Sequence, residues 1–390
     1  MTATYPFNET GSLDLDDAYR EAQQTPGMIR VQLPYGEPAW LATRYADARL
    51  VLGDQRFSRA AAGDRDEPRM QAGRLTGGIL SMDPPGHTRL RTLVAKAFTV
   101  RRVEEMRPRV REIAAELVAA MVRKGAPADL VDLFALPLPV AVICELLGVP
   151  VTDRPKFRVW SDNALSTSRL TADEFLASRE EMRDYMRGLI SSHREQPADD
   201  LMSALIDARD SADRLSELEL VDLCAGILVA GHETTASQIP NFLVTLFDHP
   251  DALARLRAEP ELIPGAVEEL LRFVPLGAGA GFPRYATEDV RVGDVVVRAG
   301  EPVVVAIGAA NRDALRFTDA DTLQVDRPPT QHLGFGHGVH HCLGAALARV
   351  ELQEALRVLL ADLPNLHLAG DIEWKRDLIV RGPVTMPVGW

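Results

Sequence analysis

The chain has 390 residues, 46% of them hydrophobic and 25% charged, a globular balance that excludes a disordered or fibrous chain. Its formal net charge of -13 argues against nucleic acid as a partner, because phosphate binding needs a basic surface. Three cysteines are too sparse and too odd a set for a disulfide framework and point to a reducing cytoplasm.

Residues 1–16 lack a basic start followed by an apolar core, so no signal peptide is expected. Short alternating segments at 29–33 and 39–43 predict two early strands. Asp83-Pro84-Pro85-Gly86 then reads as a helix start, and the helix it opens carries His87 and Arg91 four apart on one face. From 87 to 111, Arg89, Arg91, Lys96, Arg101, Arg102, Arg107, Arg109 and Arg111 meet only Glu104 and Glu105. Such a run is either a solvated helix face or a surface that steers an acidic partner. Apolar spacing predicts helices over 99–123 and 172–193. The apolar stretch 130–149 contains Asp132, Pro137, Pro139 and Glu145 and is no membrane span. Its Cys144, like Cys224 further on, is expected to be an inert buried thiol.

The longest predicted helix covers 215–247, with Ser216 and Glu219 as a capping box and His249-Pro250 as its stop. Near its middle lies a polar island, Ala230-Gly231-His232-Glu233-Thr234-Thr235, where a core helix would stay apolar. A buried carboxylate there is rare without a task. Gly231 would let something flat approach, Thr234 can bond back to the Ala230 carbonyl, and Pro240 should add a kink. His232 could meet substrate or fill the helix groove. A glycine-weakened helix with bonding threonines is the plainer alternative.

A short helix over 264–273 places Glu269 and Arg272 three apart on one face, everyday decoration on pattern alone. The small-sided run 276–281 suggests either a roomy cavity or sharp strand turns. Strand-like alternation follows at 290–297, 302–306 and, in the tail, 378–387. Early and late strands flanking a helical majority predict a mainly α chain with a minor β portion, its sheet pairing distant segments. Length alone would suggest two domains, yet no composition break marks a boundary.

The run Phe335-Gly336-His337-Gly338-Val339-His340-His341-Cys342-Leu343-Gly344 precedes a helical pattern over 343–363. Gly336, Gly338 and Gly344 allow positive φ and close approach of a flat cofactor. A following helix N-terminus favours the thiolate of Cys342, the form that binds metal. A phosphate cradle fails because Val339 stands where G-x-G-x-x-G needs its last glycine. Zinc fits poorly, since His337, His340, His341 and Cys342 crowd into six residues and do not form two spaced pairs.

The order Phe335, Gly336, Gly338, His340, Cys342, Gly344 resembles the haem-binding signature of the cytochrome P-450 monooxygenases, with every fixed position filled. The stretch 230–234 is similar to that family's oxygen-activation motif, and Glu269, Arg272 and Arg327 are similar to its E-x-x-R pair with an upstream arginine. The resemblance runs in order from His87 to Gly344. It implies a single-domain cytochrome P-450 fold over 1–390, with haem b between the long central helix and the helix that follows the cysteine. In that picture Cys342 is the axial iron ligand. His87, Arg91, Arg284 and His340 meet the haem propionates, and Phe335, Gly336 and Gly344 complete the cofactor site. Glu233 and Thr234 relay protons to oxygen, and Glu269, Arg272 and Arg327 form a structural ion network.

The implied activity is O2-dependent hydroxylation or epoxidation of a fairly large organic substrate. No flavin or iron-sulfur signature is present, so electrons from NAD(P)H must arrive through a ferredoxin reductase and a ferredoxin, the latter docking on the basic 87–111 face. The texture resembles actinobacterial members that tailor polyketide macrolides in antibiotic biosynthesis, and it implies a cytoplasmic protein with no membrane anchor. The implied substrate pocket draws on 57–81, 160–186, the helix around Val229 and Gly231, a strand over 275–282 and the tail near Val384. Peroxide-driven oxidation, coupling, electron transfer or gas sensing would use the same thiolate. Glu233 and Thr234 favour the oxygenase.

Overall fold

Helices dominate where the apolar spacing predicts them. The computed structural model describes the chain except residues 1, 9, 10, 26, 75, 76, 168, 169, 211, 212, 213 and 280, and describes only the backbone at 151, 154 and 155. Helices run over Val100–Lys124, Ala172–Glu195, Glu217–Phe247, Ile263–Phe273 and Ala345–Asp362. The long helix Glu217–Phe247 begins at the expected capping box: the Ser216 N–H donates to Glu219 Oε2 (2.7 Å) and the Glu219 N–H to Ser216 Oγ (3.2 Å). Helical geometry continues through Pro240.

The fold separates into two compact units, each assembled from three stretches of chain. One comprises 1–74, 241–342 and 374–383; the other comprises 75–240, 343–373 and 384–390. Because both units interleave distant segments, no shift in composition along the sequence could mark a boundary.

The first unit holds a six-stranded mixed sheet in the order Thr2–Thr4, Ile29–Gln32, Ala39–Ala42, Pro302–Val305, Arg284–Ala286, Phe57–Ser58. Its central pairing is parallel and long-range, with Trp40 opposite Val303 and Ala42 opposite Val305. Pro302–Val305 is buried along its whole length, as its unbroken apolar run requires. The segment 290–297 folds as two strands, Val290–Val292 and Val295–Val297, turned by Gly293 at φ +54°. The expected strand over 275–282 is absent among the described residues. Gly277 makes one isolated bridge to Val380, and regular pairing begins only at Arg284, after Pro283 has removed a backbone donor. Gly279 approaches Tyr5, Pro6 and Met70 so closely that an added Cβ would stand 3.3 Å from Pro6 Cβ, whereas Gly281 has open space, and Ala280 lies outside the described residues.

The second unit is a helical body around Leu90, Val94, Ile143, Cys144, Trp160, Met186, Cys224 and Leu228. Cys144 and Cys224 are buried thiols as expected, and burial pushes Cys224 up to about 12. The terminal helix Ala345–Asp362 packs on Val100–Lys124 and buries two glutamates with opposite fates. Burial raises the Glu354 carboxyl, but hydrogen bonds from Arg111 (2.6 Å) and Arg107 (2.8 Å) outweigh it and hold the group below the usual range. One turn earlier, Glu351 is fully enclosed, has only a hydrogen bond with Thr235 to lower it, and is pushed up to about 8 by desolvation.

The folded chain therefore keeps the Glu351 proton up to about pH 8, whereas an unfolded chain releases it near 4.5. The unfolded state then binds fewer protons, so stability falls as pH rises from about 4.5 to about 8. In Glu351→Gln that loss is removed. The variant should gain stability over the parent as pH rises, on the order of 3 kcal/mol by pH 7. Thermal melts between pH 5 and 8 check this, and a pH-independent difference between the two proteins would contradict it.

Candidate active site

The cysteine loop belongs to the first unit and is shaped by its glycines. Gly336 and Gly338 adopt φ of +72° and +74°, values that only glycine reaches without strain. At Gly338 an added Cβ would stand 2.4 Å from the Leu52 carbonyl, so the loop lies directly on the end of the helix Tyr45–Gly53. Gly344 differs from its expectation, with φ -83° and open space around its Cβ position, and it caps Ala345–Asp362, which starts two residues later than predicted. The Cys342 N–H donates to the Phe335 carbonyl (2.8 Å) and closes the loop, leaving Cys342 exposed, unlike the other two cysteines. The Phe335 ring stands 6.4 Å from the His341 ring, and His340 ends a single 3-10 turn, Gly338–His340. Arg284, also in this unit, is a buried cation at the start of its strand.

Behind the loop the predicted ion network is present. Arg272 is fully buried and donates to both Glu269 oxygens (2.7 and 2.8 Å) and to the Asn311 and Ala320 carbonyls. Arg327 Nε donates to Glu269 Oε2 (2.9 Å), and its other nitrogens bind the carbonyls of Thr318, Asp319 and Thr322. The three side chains saturate one another and the backbone around them, the condition under which buried charges are tolerated.

The second unit carries the other predicted residues. His87 is buried and Arg91 half-buried on the helix Gly86–Ala95. In the polar island Glu233 is buried, with Ser237 Oγ donating to it at 3.4 Å, and Thr234 Oγ1 donates to the Ala230 carbonyl at 3.0 Å as the sequence predicts. His232 is fully buried and its Nδ1 lies 2.8 Å from the Leu228 carbonyl, so it fills the helix interior. Gly231 departs from its expectation. Its missing side chain makes room for Ile143, whose Cδ1 would be 2.7 Å from an added Cβ, so helix packing explains the glycine.

The basic face is also altered by its partners. Arg89 pairs with Glu219, Arg101 with Glu105, Arg107 and Arg111 with Glu354, and Arg109 with Glu112 and Glu145. Lys96 and Arg102 stay exposed on this face. Sequence spacing could not reveal the pairs to Glu145, Glu219 and Glu354, because those acids lie far along the chain. Glu351 was missed for a similar reason. A glutamate amid apolar helix neighbours was the only available signal.

These residues fit haem. Among the described residues no three His, Cys, Asp or Glu side chains gather closely enough to hold a metal ion, which disfavours the zinc alternative. Cys342 offers one sulfur, which would suffice for an iron that its own cofactor already holds. In the first unit an added Cβ at Gly336 would meet only the His340 carbonyl, at 3.9 Å, and Arg284 is a buried cation; in the second, Gly344 has open space at its Cβ position and His87 is a buried imidazole, and both side chains are donors of the kind that carboxylate tails require. No helix among the described residues is long and apolar enough to cross a membrane.

Known proteins agree with this chemistry. A family model described as cytochrome P450 matches residues 160–363. The mycinamicin IV hydroxylase/epoxidase of Micromonospora griseorubida is 56% identical over 99% of this chain and 98% of its own length. The nocardicin C N-oxygenase of Nocardia uniformis subsp. tsuyamanensis is 50% identical over 100% and 99%. The solved structure of HinD with NMFT and NO superposes with a TM-score of 0.97 at 46% identity, covering all of both chains. An exposed cysteine on a glycine-turned loop, in a chain that shares about half its residues with these relatives from end to end, makes this protein a member of the cytochrome P450 family of haem-thiolate monooxygenases.

Proposed function

We propose that the chain, acting over 1–390 as one catalytic domain, hydroxylates or epoxidises a macrolide-class secondary metabolite. The observation that carries the substrate class is the 56% identity to a macrolide hydroxylase/epoxidase over nearly the whole of both chains. When bound, haem b supplies the oxygen-activating chemistry. Cys342 would hold its iron as the axial thiolate. His87, Arg91, Arg284 and His340 would bind its propionates, and Phe335, Gly336 and Gly344 would bound the space it occupies. Glu269, Arg272 and Arg327 keep the chain around the loop in place and take no part in chemistry.

Proton delivery falls to Glu233 and Thr234. The Thr234 hydroxyl donates to Ala230, yet it keeps lone pairs that can accept a hydrogen bond from ordered water, so a proton passing by way of Glu233 and water would reach a hydroxyl that hands its own proton on as it takes one. Thr234→Ala should keep consuming NAD(P)H while product falls roughly tenfold or more, with the oxygen appearing as peroxide. Peroxide-driven turnover should persist. Mycinamicin IV is the first substrate to try, and equal coupling of parent and variant would contradict the relay.

The electrons come from NAD(P)H through a ferredoxin reductase and a ferredoxin, in the cytoplasm, the reducing compartment that three sparse cysteines suit. Most of the 87–111 arginines are engaged by acids, so docking of an acidic ferredoxin centres on Lys96 and Arg102 and on Arg101, whose pair with Glu105 is a solvent-exposed one. Reversing charge at Arg101 and Arg102 should slow reduction by ferredoxin severalfold at low salt and much less at high salt. Stopped-flow reduction at unchanged speed would refute this face.

A further inference from the structure

The helix Ile263–Phe273 carries a second acid beside Glu269. Glu268 Oε2 lies 3.1 Å from Nε2 of His332, whose side chain is only 3% exposed. The other ring nitrogen, Nδ1, accepts the Gly334 N–H at 3.0 Å. A ring nitrogen that accepts from a backbone N–H carries no proton, so the proton sits on Nε2 and is donated to Glu268. Gly334 is gripped from both sides. An added Cβ there would stand 2.9 Å from His332 Nδ1 and 2.9 Å from the Leu271 carbonyl of the same helix. The next residue is Phe335, whose ring is 6.1 Å from the His332 ring and whose carbonyl receives the Cys342 N–H. The neighbouring Leu333 N–H is fixed on Asn311 Oδ1 at 2.7 Å. The entry to the loop is therefore tied to the helix through one imidazole, and that entry supplies the acceptor that closes the loop at Cys342.

We propose that His332 is a positioning residue for the axial ligand. Through Glu268 on one side and Gly334 on the other, it holds the Phe335 carbonyl where the Cys342 amide needs it and so keeps the sulfur ligating as thiolate. This rests on the assignment of Cys342 as the ligand.

The test uses haem-loaded protein and reads the ferrous carbon-monoxide spectrum over time at constant temperature, together with thermal melting. In His332→Phe the ring volume is kept and both nitrogens are lost. The red-shifted thiolate band should convert to the short-wavelength form about tenfold faster than in the parent, while helical content is unchanged. His332→Asn keeps an acceptor two residues before Gly334, as an Asx turn does, and should recover at least half of the lost lifetime. Glu268→Ala, at a half-exposed site that tolerates truncation, should accelerate conversion about threefold and carries the test if the phenylalanine variant does not fold. Equal conversion rates in the parent and in the folded variants would overturn the role of His332 and leave Cys342 standing. A parent with no red-shifted band would overturn both.

Discussion

The cysteine loop depends on a guanidinium buried with every arm engaged. Arg272 sits at zero side-chain exposure against Glu269, and Arg327 joins the same carboxylate from 58 residues along the chain. Desolvating such charges is unfavourable, and only complete pairing makes it tolerable; loss of one partner from a buried pair typically costs about 3–5 kcal/mol. That constraint ties the helix Ile263–Phe273 to the backbone from 311 to 327, which leads into the loop. The adjacent Glu268 extends the same frame to His332 and Gly334. Two consecutive acids on one short helix thus anchor the approach to Cys342 and its entry.

The same rule, applied on the terminal helix, explains why two glutamates one turn apart behave so differently. Glu354 meets two arginines and stays ionised, while Glu351 meets a threonine hydroxyl and holds its proton into the neutral range. A protonated buried acid on the terminal helix, hydrogen-bonded to Thr235 of the polar island, thus sits against the helix that carries Glu233 and Thr234.

Much of the site was legible because its signals are local. Glycines at positive φ, a capping box between Ser216 and Glu219, and a threonine bonding four residues back all depend on neighbours within a few residues. The pairing of early and late strands was legible as a requirement of burial, although which residues face each other was not. What stayed hidden depends on partners that folding brings from afar. Ile143 takes up the space that Gly231 leaves, Glu145, Glu219 and Glu354 neutralise a face that looks basic in the sequence, and burial alone sets the proton on Glu351. The strand over 275–282, expected from the resemblance alone, is absent among the described residues, where Pro and Gly leave a single bridge from Gly277 to Val380.

The central claim is that Cys342 ligates haem iron as a thiolate, and the ferrous carbon-monoxide difference spectrum of the purified, haem-replete protein tests it most directly. A strongly red-shifted Soret band, abolished in Cys342→Ser, is the predicted result. A band at the shorter wavelength typical of histidine- or thiol-ligated haem in freshly prepared parent protein, unchanged in Cys342→Ser, would contradict it.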